Sequence, residues 1–312
     1  MTSSIKKKHH YIPRFYLEGF CPVGQPSRIY VYEKGSGKVF LSNLNDAGHE
    51  NHFYSFTTET GEKDTTSIEN WFSQIEGNAA PVLRKIKSYA ELTDEDRAHF
   101  AIFLALMHSR VPTFRRGIER FIAASVKTIN DLLVSDKERF ARIVKQYEAT
   151  VGESVGDPEE LRTFAVMGED AYSIEATPES SLSFMDTTKS VVPLLLMRNW
   201  RFCCSKEASV ATSDNPFIFY NTEHDPKSFY SGHGLLFPAT EIFFSIDSKT
   251  FLNLSFRKSA GYADAPNQLV EKFNDLVVMW TDRYAYYSQD SAAFADVVKK
   301  YPCGAAVQMR TF

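Results

Sequence analysis

The period of apolar positions changes twice along the chain. From Arg28 to Glu33 the run Ile29, Tyr30, Val31 and Tyr32 is β-rich; Lys34-Gly35-Ser36-Gly37-Lys38 reads as a hairpin turn and Val39 to Leu41 as the return strand. His49 to Phe56 reads as a loop entering a short strand, so residues 1–60 are expected to form a small β layer. From Thr66 the period becomes helical. Ile68, Phe72, Ile75, Ala79, Val82 and Ile86 share one face. Thr66 with Glu69 matches a capping box, and Pro81 predicts a kink or a split. Thr93 with Asp96 opens a second helix carrying Phe100, Phe103, Leu104, Met107 and Val111. Ala101, Ile102, Ala105 and Leu106 fill its other faces, so it is expected to be the central buried helix. Pro112 interrupts it. Further helices are predicted over Phe114 to Val134, over Asp136 to Glu148, from Asp157-Pro158, and over Ser180 to Met197.

Trp200 returns the chain to strands: Trp200 to Ser205, Ser209 to Thr212, Phe217 to Tyr220, Leu235 to Phe237, Glu241 to Ile246, Phe251 to Leu254 and Tyr284 to Tyr287. A long polar loop from Asn221 to Gly234 carries His224 and His233, and Ala265 to Leu276 and Ala292 to Lys300 read as helices. Strands, helices and strands in blocks predict an α+β fold rather than alternating βαβ units. The expected architecture is a central helical bundle around a buried helix, a small N-terminal β layer and a mostly antiparallel C-terminal sheet. No clean linker separates residues 1–60, 61–198 and 199–312, so a single domain is expected.

Composition narrows the class. Hydrophobic residues at 43% and charged residues at 24% describe a soluble globular chain, and 14% aromatics with 25 Phe predict a ring-rich interior. The net charge of −4 argues against a broad duplex-coating surface but not against a local basic groove. Cys21, Cys203, Cys204 and Cys303 show no C-x-x-C spacing, which points to reduced thiols rather than a disulfide framework or a zinc ribbon. Lys6-Lys7-Lys8 precedes no apolar run, and the longest apolar stretches fall far short of a membrane span. A cytoplasmic protein with no membrane partner is expected.

The densest chemistry lies in His9-His10-Tyr11-Ile12-Pro13-Arg14-Phe15-Tyr16-Leu17-Glu18-Gly19-Phe20. Pro13 stiffens this segment and holds Ile12 extended, so His10 and Arg14 are expected to be presented to residues distant in sequence, with His9 facing solvent. The segment resembles the H-Y-I/V-P-x-x-Y-L-x-x-F start of a family known only as a domain of unknown function, DUF4238. Ser213-Asp214-Asn215-Pro216 extends the resemblance into the second half, with weaker support from Phe53-Tyr54, from Glu69 and Glu76, and from Asn274. The resemblance implies an intracellular protein of about this length with no agreed activity.

Each candidate has a functional and a structural reading. His10 suits a general acid or base and Arg14 an anion clamp; alternatively the segment is a packing strap whose histidine satisfies a backbone carbonyl. Glu69 and Glu76 share one helical stripe, although Glu69 already has a role in the capping box. Arg110 sits on an apolar stripe and needs either a bound anion or an ion pair with Glu69, Glu76 or Asp214. His108 reads as a core histidine. Asp214 and Asn215 occupy a rigid turn that suits a metal ligand or an orienting group, or an Asx turn formed for local reasons. His49-Glu50-Asn51-His52 has H-x-x-H spacing but no third ligand in sequence, so solvated loop residues are expected. Arg110, Arg115, Arg116 and Arg120 could face a phosphate or simply form a wet helix side. No Walker loop, dinucleotide fingerprint, nucleophile elbow or H-E-x-x-H occurs.

The combination favours a phosphodiester-cleaving, nuclease-like hydrolase. His10, Asp214 and Glu76 would be catalytic; Arg14, Arg110 and Asn215 would bind ligand; Glu76 and Asp214 would hold Mg or Mn. Nucleic acid or a nucleotide would be the partner. The alternative is a non-enzymatic module binding an anion, a nucleotide or a protein partner.

Overall fold

The computed structural model describes residues 8–57, 63–64, 66–168, 173, 188–223 and 234–302. Cys303, most of the loop carrying His224 and His233, and residues 180–187 of the helix expected over Ser180 to Met197 lie outside the described residues.

The motif segment supplies β1 (Lys8–His10) and the single turn α1 (Arg14–Leu17). The hairpin follows as β2 (Arg28–Glu33) and β3 (Val39–Asn43), and then come β4 (His49–Asn51), β5 (Phe56–Thr57) and β6 (Lys63–Asp64). The helical block is α2 (Ser67–Lys87), α3 (Asp94–Ser109), α4 (Pro112–Val134), α5 (Lys137–Val151), α6 (Pro158–Met167) and α7 (Thr188–Leu196). The last third contains β7 (Asn199–Cys204), β8 (Thr212–Ser213), β9 (Phe217–Asn221), β10 (Thr240–Ser245), β11 (Thr250–Ser255) and β12 (Gly261–Asp264). It closes with α8 (Asn267–Trp280), β13 (Tyr284–Tyr287) and α9 (Ala292–Lys299). The fold is α+β.

Two compact units divide the chain, Met1–Arg115 with Leu182–Phe312, and Arg116–Ser181. In the larger unit one sheet runs β12-β7-β11-β10-β9, antiparallel except for the parallel β12–β7 pair. A second sheet runs β3-β2-β13-β8, so the N-terminal hairpin is completed by strands from the far end of the chain, with Val31 opposite Tyr286 and Ser213 opposite Ala285. Two ribbons, β1–β4 and β5–β6, lie apart from these sheets in the pairing order. The smaller unit holds the rest of α4, α5 and α6. There Asp136 and Asp157 cap α5 and α6 by accepting from Arg139 N and Glu159 N, and Pro158 opens α6.

Helix α3 is the buried centre of the larger unit. Its capping box forms as the Thr93 and Asp96 spacing predicts, and Phe100, Phe103, Leu104 and Leu106 have no exposed surface. Phe103 meets the rings of Phe15, Tyr16 and Phe244. Tyr16 binds both sheets: its Oη donates to Ser245 O at 2.9 Å and shares a 2.6 Å hydrogen bond with Thr212 Oγ1. The aromatic motif is therefore locked into the core from α1, which fixes where His10 and Arg14 emerge.

Several local expectations differ from the structure. The capping box at Thr66 and Glu69 does not form; Asp64, two residues upstream, accepts from Thr66 N and Ser67 N instead. Pro81 does not split α2, whose burial of Ala79, Val82, Leu83 and Ile86 spans the proline. Leu235 to Phe237 is a turn, and the strand expected over Ser209 to Thr212 is confined to Thr212–Ser213. The parallel strand β12 was not signalled, because Gly261-Tyr262-Ala263-Asp264 lacks a β-branched run. His49–Asn51 is a strand rather than a loop, paired with β1 in the register His10 to His49.

Candidate functional site

Successive residues of a strand point to opposite faces, so the β1–β4 ribbon separates His9 from His10. The expectation that His9 faces solvent fails: it is fully buried, its ring stacks on Tyr54 at 5.9 Å, and its Nδ1 accepts from Tyr54 N at 2.9 Å. His10, half-buried, takes the other face and lines a cleft of about 320 Å³ with Arg14, Glu69, Phe72, Glu76 and Arg110. Pro13, Phe15, Glu18 and Ser73 complete its wall.

Helix α2 supplies one side of the cleft by spacing alone. Glu69, Phe72, Ser73 and Glu76 are related by three, four and seven residues, which stack on one stripe. Because Asp64 caps the helix, Glu69 is released from capping and reaches the cleft. Sequence reasoning had set Glu69 aside, although the same stripe carried the signal.

Arg110, at the end of α3, has a side chain only 2% exposed. Its Nη1 donates to Glu76 Oε1 at 2.7 Å, its Nη2 donates to His10 O at 2.6 Å, and its Cζ lies 4.4 Å from the Phe72 ring centroid. Tyr54 Oη donates to Arg110 O at 2.5 Å. The guanidinium thus ties the His10 backbone to α2, which is the ion-pair alternative of the sequence reading realised with Glu76. Arg14 differs: it is exposed at the cleft and makes no ion pair among the described residues.

The electrostatics of His10 follow from this setting. Burial first, and the His49 ring second, hold its imidazole down at about 4, against a hydrogen bond with the Asn45 backbone and the Glu69 carboxylate. At neutral pH the ring is uncharged. Its Nε2 is shielded from solvent and has no hydrogen-bond partner among the described residues. The His49 ring lies 5.5 Å away across the ribbon.

Asp214 and Asn215 do not line the cleft. Asp214 is buried, and its carboxylate accepts from Asp282 N at 2.8 Å, Arg283 N at 2.7 Å and Tyr284 N at 2.8 Å. Burial and the Asp282 carboxylate push it up to about 7 against those three donors. Asn215 Nδ2 donates to Trp280 O at 2.9 Å. The Ser213–Pro216 corner therefore fastens the end of α8 to the start of β13. His108 is boxed by Phe114, Phe217 and Phe219, and burial holds it at about 4. Arg115 donates to Phe53 O at 2.8 Å. Cys21, Cys203 and Cys204 are free thiols that burial pushes up. Among the described residues no three His, Cys, Asp or Glu side chains converge as a metal site, and no helix is long and apolar enough to cross a membrane.

Neither the curated proteins nor the solved structures contain a match to this chain. The family model described as "Protein of unknown function (DUF4238)" matches residues 8–291, a span that begins at β1 and takes in the whole cleft and the Asp214 corner. The chain belongs to the DUF4238 family.

Proposed function

We propose that the cleft is an acid–base site acting on a phosphodiester, with nucleic acid or a nucleotide as substrate. What supports this reading is one observation: an uncharged His10, whose Nε2 has no partner among the described residues, shares a cleft with Glu69 and with an exposed Arg14 that makes no ion pair among them. In the step this suits, a rotation of the half-buried His10 ring brings its shielded Nε2 to the cleft, where it takes the proton of the attacking hydroxyl as its oxygen bonds to phosphorus. The bond from phosphorus to the leaving oxygen then breaks, and the imidazolium returns the proton to that oxygen. Arg14 holds the non-bridging oxygens, and Glu69, whose charge favours the imidazolium, steadies the intermediate charge. Arg110 and Glu76 act as positioning residues, because their charged groups bind each other and the His10 backbone.

Mg or Mn has no role in this step. The two carboxylates suited to such an ion by sequence, Glu76 and Asp214, are engaged by Arg110 and by three amides. The test is incubation of the purified chain with RNA and DNA oligonucleotides, in chelator and with added Mg or Mn. Cleavage that persists in chelator and falls at least about 100-fold in His10→Ala and His10→Gln is expected. Absence of cleavage under every condition, or cleavage indifferent to His10→Ala, would contradict the proposal. A second reading, a binding module without turnover, draws on the commitment of Arg110, Asp214 and Asn215 to structural partners. It predicts thermal stabilisation by mononucleotides with no product.

A further inference from the structure

The sheet that completes the N-terminal hairpin packs one face on α9, where Tyr32 and Tyr287 meet the Phe294 ring. The other face is set by register. Phe40 of β3 and Tyr286 of β13 both sit directly opposite Val31, and Tyr284 lies two residues from Tyr286, so all four side chains share that face. Tyr11 of the motif segment and the turn before β4 lie over it, enclosing a cavity of about 110 Å³. Gly48, at φ 61°, holds this cover in place: its carbonyl accepts from Tyr11 N at 2.9 Å and from Ile12 N at 3.1 Å. A Cβ at Gly48 would stand 2.8 Å from Ile12 Cβ, so the close approach requires glycine.

The lining of this cavity is mostly aromatic. Tyr11, Phe40, Tyr284 and Tyr286 supply four rings, and His49 a fifth. Phe40 and Tyr284 stand at 88° with centroids 6.5 Å apart, which makes a corner rather than a stack. Burial first, and Lys8 second, hold His49 below its ordinary value, so its imidazole is neutral at neutral pH. Among the described lining residues Asp46 carries the single charge, a carboxylate. Ring faces and a carboxylate both present negative potential, which a cation uses and an uncharged guest does not. Two side chains that do not line the cavity already exploit these groups. Arg283 Cζ lies 4.8 Å from the Tyr284 centroid, and Lys8 Nζ lies 2.5 Å from Asp46 Oδ1. Both cations are largely exposed, and such surface contacts exchange easily.

We propose that this cavity binds the trimethylammonium head of a small free quaternary amine of the choline type, caged by Phe40, Tyr284 and Tyr286 with Asp46 as counter-ion. A quaternary head has no N–H, so ring walls leave no donor unsatisfied, whereas a primary ammonium would bury three. At about 30 Å³ for each water-sized group, the cavity holds about four. That is the bulk of a nitrogen with three methyl groups. Phe40, 40% exposed, and the exposed Asp46 mark the mouth through which the rest of the ligand reaches solvent. The site goes beyond the phosphodiester reading and does not depend on it, because neither His10 nor Arg14 lines this cavity.

The test is calorimetric titration of the full chain with choline chloride and, in parallel, with the uncharged alcohol in which a tert-butyl group replaces the trimethylammonium. Saturable binding of one choline per chain is expected, with none of the alcohol. Choline affinity should fall at least about fivefold in Phe40→Leu and in Asp46→Asn, and rise at least about twofold in Lys8→Met, which frees the carboxylate. No saturable binding of choline, alcohol binding as tight as choline's, or choline binding unchanged in Phe40→Leu would overturn the proposal. Where a variant fails to fold, the wild-type chain decides by NMR. Choline but not the alcohol should shift the Tyr284 and Tyr286 amide resonances, and resonances that stay in place with excess choline would refute the site.

Discussion

The side chains of the cleft divide into those that hold it and those that face it. Arg110 holds: it is nearly sealed, while its partner Glu76 keeps 22% of its side-chain surface. Removing the carboxylate strands a buried cation, whereas removing the cation leaves a carboxylate that can reach water. Glu76→Ala should therefore cost about 3–5 kcal/mol, and Arg110→Met should cost less, as read from urea unfolding at neutral pH. His10 faces the cleft, and its pKa has a stability consequence of definite sign. In the unfolded chain it gains its proton near the ordinary value of 6.5, but in the fold only near about 4. Its contribution is present above 6.5 and is lost as pH falls through 4. At this scale the sequence announced His10, Arg14 and Arg110 by type and spacing. It could not say whether Arg110 would meet an anion or a carboxylate, because that choice depends on where α2 packs against α3.

At the scale of elements, the strong signals were the ones set by local chemistry. The Thr93–Asp96 box, the all-round apolar helix α3 and the Gly-containing hairpin between β2 and β3 all depend on near neighbours and form as read. The failures lie where a competing partner was close in sequence or far from it. Asp64 displaces Thr66 as the cap of α2, which frees Glu69 for the cleft. Asp64→Ala should then cost about 1 kcal/mol, while Thr66→Ala should stay within about 0.5 kcal/mol, both read from the denaturant midpoint. The His49–Asn51 strand illustrates the other failure. Its residues have weak strand propensity, and it exists because β1, some forty residues earlier, pairs with it. The burial of His9 and the neighbourhood of His10 and His49 both follow from that one pairing.

Across the whole molecule, the motif segment and the Asp214 corner do different work. The first carries the cleft; the second joins the end of α8 to β13, the strand that completes the N-terminal hairpin's sheet. Both belong to the span matched by the family, yet only one lines a cavity with His10. Asp214→Asn replaces one acceptor oxygen by an amino group in front of three amides, so at least one buried N–H loses its partner. It should cost about 1–3 kcal/mol while leaving any His10-dependent cleavage by the folded fraction unchanged. The sequence placed both motifs but not their separation, because sheet order is set by pairings such as Val31 with Tyr286 that no local pattern encodes.

The most direct measurement is an NMR titration of His10 in the wild-type chain, alone and with a nucleoside monophosphate. The ring should titrate near about 4 in the free protein. It should move upward on ligand binding, because a phosphate held by Arg14 beside the imidazole favours its protonated form. A His10 that titrates near its ordinary 6.5 and does not respond to the nucleotide would contradict the account.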